Sequence, residues 1–352
     1  MQRNKKILHI VGARPQFIKC SLLVNYLNNY KNIILHTNQH YDFDMSDIFF
    51  KELKIKQPII LKRRSHKNNR IIRIASMITE TSKELQRIKP NLSIIYGDTD
   101  TTLAASIALR KKNTISMHVE AGLRSYNSKM AEEQNRVVAD HFSDYLITPN
   151  QSSTNNLLKE GIEKKKIFQF GDLLFDQALV AKKIISKKKF NKKKYEDFDA
   201  LMTMHRDENL NEKRIKQILR EVSKIKYKLI WPVHPKMKNI LNRIKEFVPY
   251  NITLIKPLSY LETIYMIKKS RFILTDSGGV QRESFFLNKI SFVLRDRSEW
   301  TELSKHNYSY IIDTKVSKIN SNNIIFPKIK RKIFSNKNFK KKILKLVKKI
   351  LR

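Results

Sequence analysis

The chain is short of cysteine, glycine, acidic side chains and long apolar runs, and each shortage removes a class of protein. Cys20 is the sole cysteine among 352 residues. One thiol excludes an intramolecular disulfide framework and any multi-cysteine zinc site, and it points to a cytoplasmic protein. No apolar run reaches the roughly 18 residues needed to cross a bilayer, so membrane insertion is not expected. Arg3-Asn4-Lys5-Lys6 followed by Ile7-Leu8-His9-Ile10-Val11 imitates a secretory leader. The apolar stretch is brief, contains His9 and runs on towards Arg14-Pro15, so it reads as a first strand. The chain has neither Gly-x-x-x-x-Gly-Lys-Ser/Thr nor Gly-x-Gly-x-x-Gly, the fingerprints of P-loop ATPases and of NAD binding.

Acid is scarce relative to base: 32 Asp and Glu against 71 Lys and Arg, a formal net charge of +39. Such a charge invites a nucleic-acid reading, since Lys and Arg neutralise phosphates. The basic residues, however, are spread along the chain, as in Lys164-Lys165-Lys166, Lys187-Lys188-Lys189, Lys192-Lys193-Lys194 and Lys340-Lys341-Lys342. Lys, Asn and Ile are abundant together, a whole-chain bias in residue usage. We read the lysines as solvated faces and expect no nucleic-acid partner. Hydrophobic residues make up 41% of the chain, enough for a packed core.

What is present is alternation. Short apolar runs at Ile7–Val11, Ile33–His36, Leu92–Tyr96, Ile115–Val119, Tyr145–Ile147 and Ile167–Phe170 read as strands. A second series follows at Leu201–Met204, Lys228–Val233, Ile252–Ile255, Phe272–Thr275, Ser291–Leu294 and Tyr310–Ile312. Stretches of helical period, such as Thr102–Leu109 and Tyr260–Ile267, lie between them. Strand–helix alternation means βαβ units and parallel sheets. Continuous apolar strands mean sheets covered on both faces. The charged segment 182–199 lacks an apolar period and reads as the boundary between two domains. No internal repeat is found.

The apolar runs end in polar clusters: Gly12-Ala13-Arg14-Pro15-Gln16, Gly97-Asp98-Thr99, Glu120-Ala121-Gly122-Leu123-Arg124, His205-Arg206, His234-Pro235, Asp276-Ser277-Gly278-Gly279 and Arg295-Asp296. Open α/β sheets bind ligands outside the carboxyl ends of their strands. Two sheets with these ends facing would form one cleft. Five of only seven glycines fall in the clusters, which predicts positive φ or close backbone approach there. Ser277-Gly278-Gly279 before a helical pattern offers backbone N–H groups suited to phosphate. Asp98 and Glu120 close buried strands beside glycines. With His205 they are the candidates for acid–base chemistry, whereas Glu132 and Glu133 read by default as solvated carboxylates. His234 reads equally as a structural histidine, and His118, inside a strand, as core.

The ordered motifs Gly12-Ala13-Arg14-Pro15-Gln16-Phe17-Ile18-Lys19, Gln39-His40-Tyr41-Asp42, Tyr96-Gly97-Asp98-Thr99, His118-Val119-Glu120-Ala121-Gly122-Leu123-Arg124, Glu132-Glu133-Gln134-Asn135-Arg136, His205-Arg206-Asp207-Glu208-Asn209, Pro232-Val233-His234-Pro235 and Thr275-Asp276-Ser277-Gly278-Gly279-Val280-Gln281 closely resemble those of the non-hydrolysing UDP-N-acetylglucosamine 2-epimerases. The resemblance runs from about Ile7 to Glu302. It implies an α/β, glycosyltransferase-B-like fold of two Rossmann-like domains, with the active site in the interdomain cleft. The domains expected are residues 1–180, with a C-terminal helix at about 338–352 packing back, and residues 181–337. The implied reaction is inversion at C2 of a UDP-linked 2-acetamido sugar, by elimination of UDP to a glycal and re-addition, for surface polysaccharide synthesis.

Matched residue by residue, the resemblance gives Asp98, Glu120, Glu132 and His205 catalytic positions. It gives Arg14, Lys19, Arg136, His205, Ser277, Gly278 and Gly279 to the diphosphate and sugar, Arg124 and His234 to substrate binding, and Glu283 to the ribose hydroxyls. It implies no metal and no cofactor, a UDP-sugar substrate and a homodimer. Ala131 stands where the family usually has Pro, Asn38 where it has Gly, and Arg282 where it has an acid. Lys67-Asn68-Asn69 departs from the segment tied to a regulatory second sugar site, and Phe334-Ser335-Asn336-Lys337 replaces Tyr-Gly-Asp-Gly. The first motif and Arg295-Asp296-Arg297-Ser298-Glu299-Trp300 look most like a branch that includes UDP-2,3-diacetamido-2,3-dideoxyglucuronate 2-epimerases, whose uronate would suit a basic pocket. A hydrolysing epimerase or a glycosyltransferase on the same scaffold is the other enzyme reading.

Overall fold

The computed structural model describes residues 4–39, 57–62, 69–187, 197–319, 324, 327, 334 and 338–352. His40, Tyr41, Asp42, Lys67, Asn68, the lysines at 188–189 and 192–194, and residues 335–337 lie outside the described residues. So does the side chain of Arg14. The chain divides into two compact units, Met1–Gln177 with Phe334–Arg352, and Ala178–Ile333.

The first unit is a seven-stranded sheet of β1 (Lys6–Val11), β2 (Lys31–His36), β3 (Ile59–Ile60), β4 (Leu92–Tyr96), β5 (Ser116–Val119), β6 (Tyr145–Thr148) and β7 (Ile167–Gln169), in the order β3-β2-β1-β4-β5-β6-β7. All its pairings are parallel. The connecting helices include α1 (Arg14–Tyr26), α2 (Arg70–Ile88), α3 (Asp100–Lys111), α4 (Ala131–Phe142) and α5 (Gln151–Lys159), and α6 (Leu173–Lys187) crosses the unit boundary. All five residues of β4 are buried, as a doubly covered parallel strand requires. The two-residue β3 is the strand that the apolar pattern does not foresee; its ladder is too short to leave a sequence signal.

The C-terminal helix, Phe339–Ile350, buries Phe339, Ile343, Leu346 and Val347, a helical-period stripe. Phe339 meets Phe170 edge-on with centroids 6.0 Å apart. Lys340 lies over the Tyr26 ring, so the helix packs on the first unit.

The second unit repeats the pattern with β8 (Ala200–Thr203), α7 (Glu212–Val222), β9 (Leu229–Pro232), α8 (Pro235–Arg243), β10 (Ile252–Ile255), α9 (Tyr260–Lys269), β11 (Phe272–Thr275), α10 (Gly278–Phe286), β12 (Ile290–Val293), α11 (Thr301–Lys305) and β13 (Ser309–Ile311). Its six parallel strands run β10-β9-β8-β11-β12-β13. Each sheet therefore reverses strand order once, between β1 and β4 and between β8 and β11, the switch points where such sheets bind ligands. Among the described residues no helix is long and apolar enough to cross a membrane.

Candidate active site

In the first unit Gln16 spans the switch point. Its Oε1 accepts the N–H groups of Gly12 (2.7 Å) and Ala13 (3.1 Å), and its Nε2 donates to Tyr96 O (2.8 Å) and Thr99 Oγ1 (3.0 Å). The turns after β1 and β4 are thus locked together. Asn38, in place of the usual Gly, has φ +62°. Asparagine tolerates that left-handed conformation, and the following Gln39 accepts from Thr101 N at 2.9 Å.

Asp98 follows Gly97 in the turn after β4. Its carboxylate pairs with the buried Arg136, and its carbonyl accepts from Asn135 Nδ2 at 3.0 Å. Glu120 closes β5 with φ +74°, and its buried carboxylate pairs with the buried Lys19 of α1. Glu132 is half-buried in the first turn of α4, where a helix dipole favours an acid. Its neighbour Glu133 has another task. It accepts Ser125 N at 2.7 Å, Ser125 Oγ at 2.9 Å and Tyr126 N at 3.0 Å, and so ties down the preceding loop. Burial raises the nearby Asp100 carboxyl, but Arg70, Asn135 and Arg73 outweigh it and hold the group below its ordinary range. The result is a set of acids with two buried cations beside them, suited to moving a proton next to an anion.

Arg124, expected to bind substrate, has every nitrogen of its guanidinium hydrogen-bonded inside the first unit. Nε and Nη2 donate to Glu160, both at 2.7 Å, and Nη1 donates to Asp140 (2.8 Å) and Leu123 O (2.7 Å). Gly122, with φ +79°, leaves only 2.3 Å between a hypothetical Cβ and Ser153 O, so close approach as well as backbone conformation demands glycine there.

In the second unit the bridging side chain is Asp276, to which the strand-end pattern alone assigns no task. Fully buried, it accepts His205 N, Arg206 N and Asn209 Nδ2, each at 2.9 Å. Its other oxygen lies 3.4 Å from His205 Nδ1. The His205 ring stacks on His234 with centroids 5.4 Å apart. His234 caps α8, accepting Lys236 N at 3.3 Å. Ser277 caps α10. A Cβ on Gly278 would lie 2.4 Å from Glu299 Oε1, whereas one on Gly279 would meet nothing nearer than Ser277 Oγ at 3.8 Å. Glycine at 278 is thus required by packing. Glu283 is buried within α10, and Arg282 packs 4.1 Å from the Trp300 ring centroid. Arg295 is buried between Glu208 (2.7 Å) and Glu299 (3.0 Å).

Two Rossmann-like units of this kind make the chain glycosyltransferase-B-like in fold. The chain belongs to the UDP-N-acetylglucosamine 2-epimerase family, whose model matches residues 24–346. It is 38% identical over 330 residues to a UDP-N-acetylglucosamine 2-epimerase homolog of Methanococcus maripaludis, covering 90% of this chain and 91% of the relative. It is 37% identical over 307 residues to the UDP-2,3-diacetamido-2,3-dideoxy-D-glucuronate 2-epimerase of Pseudomonas aeruginosa, covering 85% of each. The crystal structure of Methanocaldococcus jannaschii UDP-GlcNAc 2-epimerase in complex with UDP-GlcNAc and UDP superposes with a TM-score of 0.90 at 34% identity, covering 98% of this chain and 99% of that one.

Proposed function

We propose that the chain inverts C2 of a UDP-linked 2-acetamido sugar, of the UDP-GlcNAc to UDP-ManNAc type. The observation that supports this reading is the pair of ion pairs at the strand ends, Asp98 with Arg136 and Glu120 with Lys19, together with Glu132 in the first turn of α4. A base removes the C2 proton. The C–H electrons form the C1–C2 double bond, and the C1–O pair leaves with UDP. An acid on the other face then returns a proton to C2 while UDP adds back at C1. Asp98, Glu120 and Glu132 supply the proton transfers. Arg14, Lys19, Arg136, His205, His234 and the Ser277-Gly278-Gly279 helix start support the diphosphate as its charge develops. Glu283 accepts from the ribose. The enzyme works as a cytoplasmic homodimer supplying surface polysaccharide synthesis.

The Pseudomonas aeruginosa relative, matched as well as the UDP-GlcNAc enzymes, favours a second reading in which the substrate is the 2,3-diacetamido uronate. Incubation with each UDP-sugar, followed by NMR, separates the readings. C2 inversion with UDP retained is expected for one of them. Free sugar plus UDP as the sole products, or no reaction with either, would overturn the proposal.

A further inference from the structure

We infer that His118 is a positioning residue that fixes the turn carrying Asp98 to the turn carrying Glu120. The inference rests on the acid–base reading of those two carboxylates. His118 lies in β5 with no solvent exposure. Its Nε2 is 2.7 Å from Gly97 O, and its Nδ1 is 2.7 Å from Asp140 Oδ1. A backbone carbonyl only accepts. Burial raises the Asp140 carboxyl, but His118 and Arg124 outweigh burial and hold it below its ordinary range, so it too is an ionised acceptor. Nε2 therefore donates to Gly97 O, and Nδ1 faces the Asp140 carboxylate.

Asp140 continues the connection. Its second oxygen accepts the N–H of Gly122 at 3.0 Å and Arg124 Nη1 at 2.8 Å. One buried histidine–carboxylate pair thus joins the residue before Asp98 to the residue two beyond Glu120. Asp140 lies on α4, four residues after Arg136 and eight after Glu132, which puts all three on one helix face. The same helix grips Asp98 through Asn135 and Arg136. A histidine serving only the core needs no such link. His9, equally buried in β1, is satisfied by Tyr96 and Asn32.

Two amide variants divide the ring between them. His118→Asn places a donor near the Nδ1 position, keeping Asp140 and losing Gly97. His118→Gln places one near the Nε2 position, keeping Gly97. We expect kcat to fall roughly 10²-fold in His118→Asn with KM little changed, because a misplacement of about 1 Å costs that much, and His118→Gln to recover most of it. Equal kcat in the two variants, or wild-type kcat in His118→Asn, overturns the inference. Should His118→Asn not fold, Asp140→Asn is read instead: a fall in kcat at constant KM upholds the link and an unchanged kcat overturns it. Hydrogen exchange of the 96–99 segment is measured in parallel. Faster exchange in His118→Asn but not in His118→Gln upholds the positioning role even if the wild type proves not to epimerise, in which case the proposed function alone falls; equal exchange in the two overturns it.

Discussion

Lys19 and Glu120 form an ion pair in which both side chains are almost wholly buried. Glu120 holds its place at φ +74°, a conformation that costs a side-chain-bearing residue about 1–2 kcal/mol. A carboxylate kept where glycine would relax the backbone points to chemistry rather than stability. Glu120→Gln leaves Lys19 buried without its counter-charge and is expected to lose about 3–5 kcal/mol. Adding Lys19→Met should recover most of that loss. Neither variant should recover turnover, which falls roughly 10²–10⁴-fold when a general acid or base is lost. Denaturant melts of the full mutant cycle, beside an epimerisation assay, check both halves. Turnover within tenfold of wild type in Glu120→Gln would remove Glu120 from the chemistry.

Glu132 and Glu133 are neighbours with opposite expected signatures. Glu132→Gln should lower turnover roughly 10²–10⁴-fold and leave the melting point nearly unchanged, as should Asp98→Asn for turnover. Glu133→Gln removes a charged acceptor from Ser125 and Tyr126 and should cost about 1–3 kcal/mol of stability. Its turnover per folded molecule should stay closer to wild type. The reverse pattern would exchange the two assignments.

Most of the fold is legible because strand and helix periods differ and because parallel strands are apolar throughout. Leu92–Tyr96, Ile252–Ile255 and Phe272–Thr275 end in the structure where the apolar pattern ends. The acids at strand ends are legible for the same reason: Asp98 and Glu120 break apolar runs. The side chains that hold them are not. Gln16, Asn135, Asp140 and Asp276 act on backbone groups distant in sequence, and no local pattern announces a partner 80 residues away, as Tyr96 O is from Gln16. Arg124 is ambiguous for the complementary reason. An arginine beside a glycine at a strand end looks alike whether it meets a substrate anion or Glu160.

His9 gives a pH prediction. Burial lowers its pKa from the ordinary 6.5 to about 4. The neutral ring donates through Nε2 to Asn32 Oδ1 and accepts at Nδ1 from the Tyr96 hydroxyl. The unfolded chain takes up the proton first as pH falls. The contribution is therefore complete above pH 6.5 and is lost progressively towards pH 4, roughly 3 kcal/mol in all. Asp100 and Asp140, whose carboxyls are held below their ordinary range, contribute to a separate loss at lower pH. Stability measured from pH 7.5 to 4 in wild type and His9→Gln should converge as pH drops. Parallel curves across that window would show that His9 does not carry this acid sensitivity.

His205 is held by its backbone more than by its ring. Asp276 accepts the N–H groups of His205 and Arg206, while the imidazole remains 37% exposed, 3.4 Å from Asp276 through Nδ1. The backbone grip fixes where the ring starts, and an Asp276 oxygen lies beside Nδ1. If His205 donates to the diphosphate as the C1–O bond breaks, its effect is larger in the transition state than in the bound substrate. His205→Asn should then lower kcat by roughly 10²-fold or more, weaken UDP binding less than about threefold and shift the melting point by no more than about 2 °C. Asp276→Asn should differ. It turns an amide towards donors already in place, and so should lose about 1–3 kcal/mol of stability for each acceptor contact broken. Calorimetric melts, UDP titration and turnover on these two variants separate a catalytic ring from a structural one. Unchanged turnover in His205→Asn, or a fall in UDP affinity as large as the fall in kcat/KM, would confine His205 to binding or to the loop.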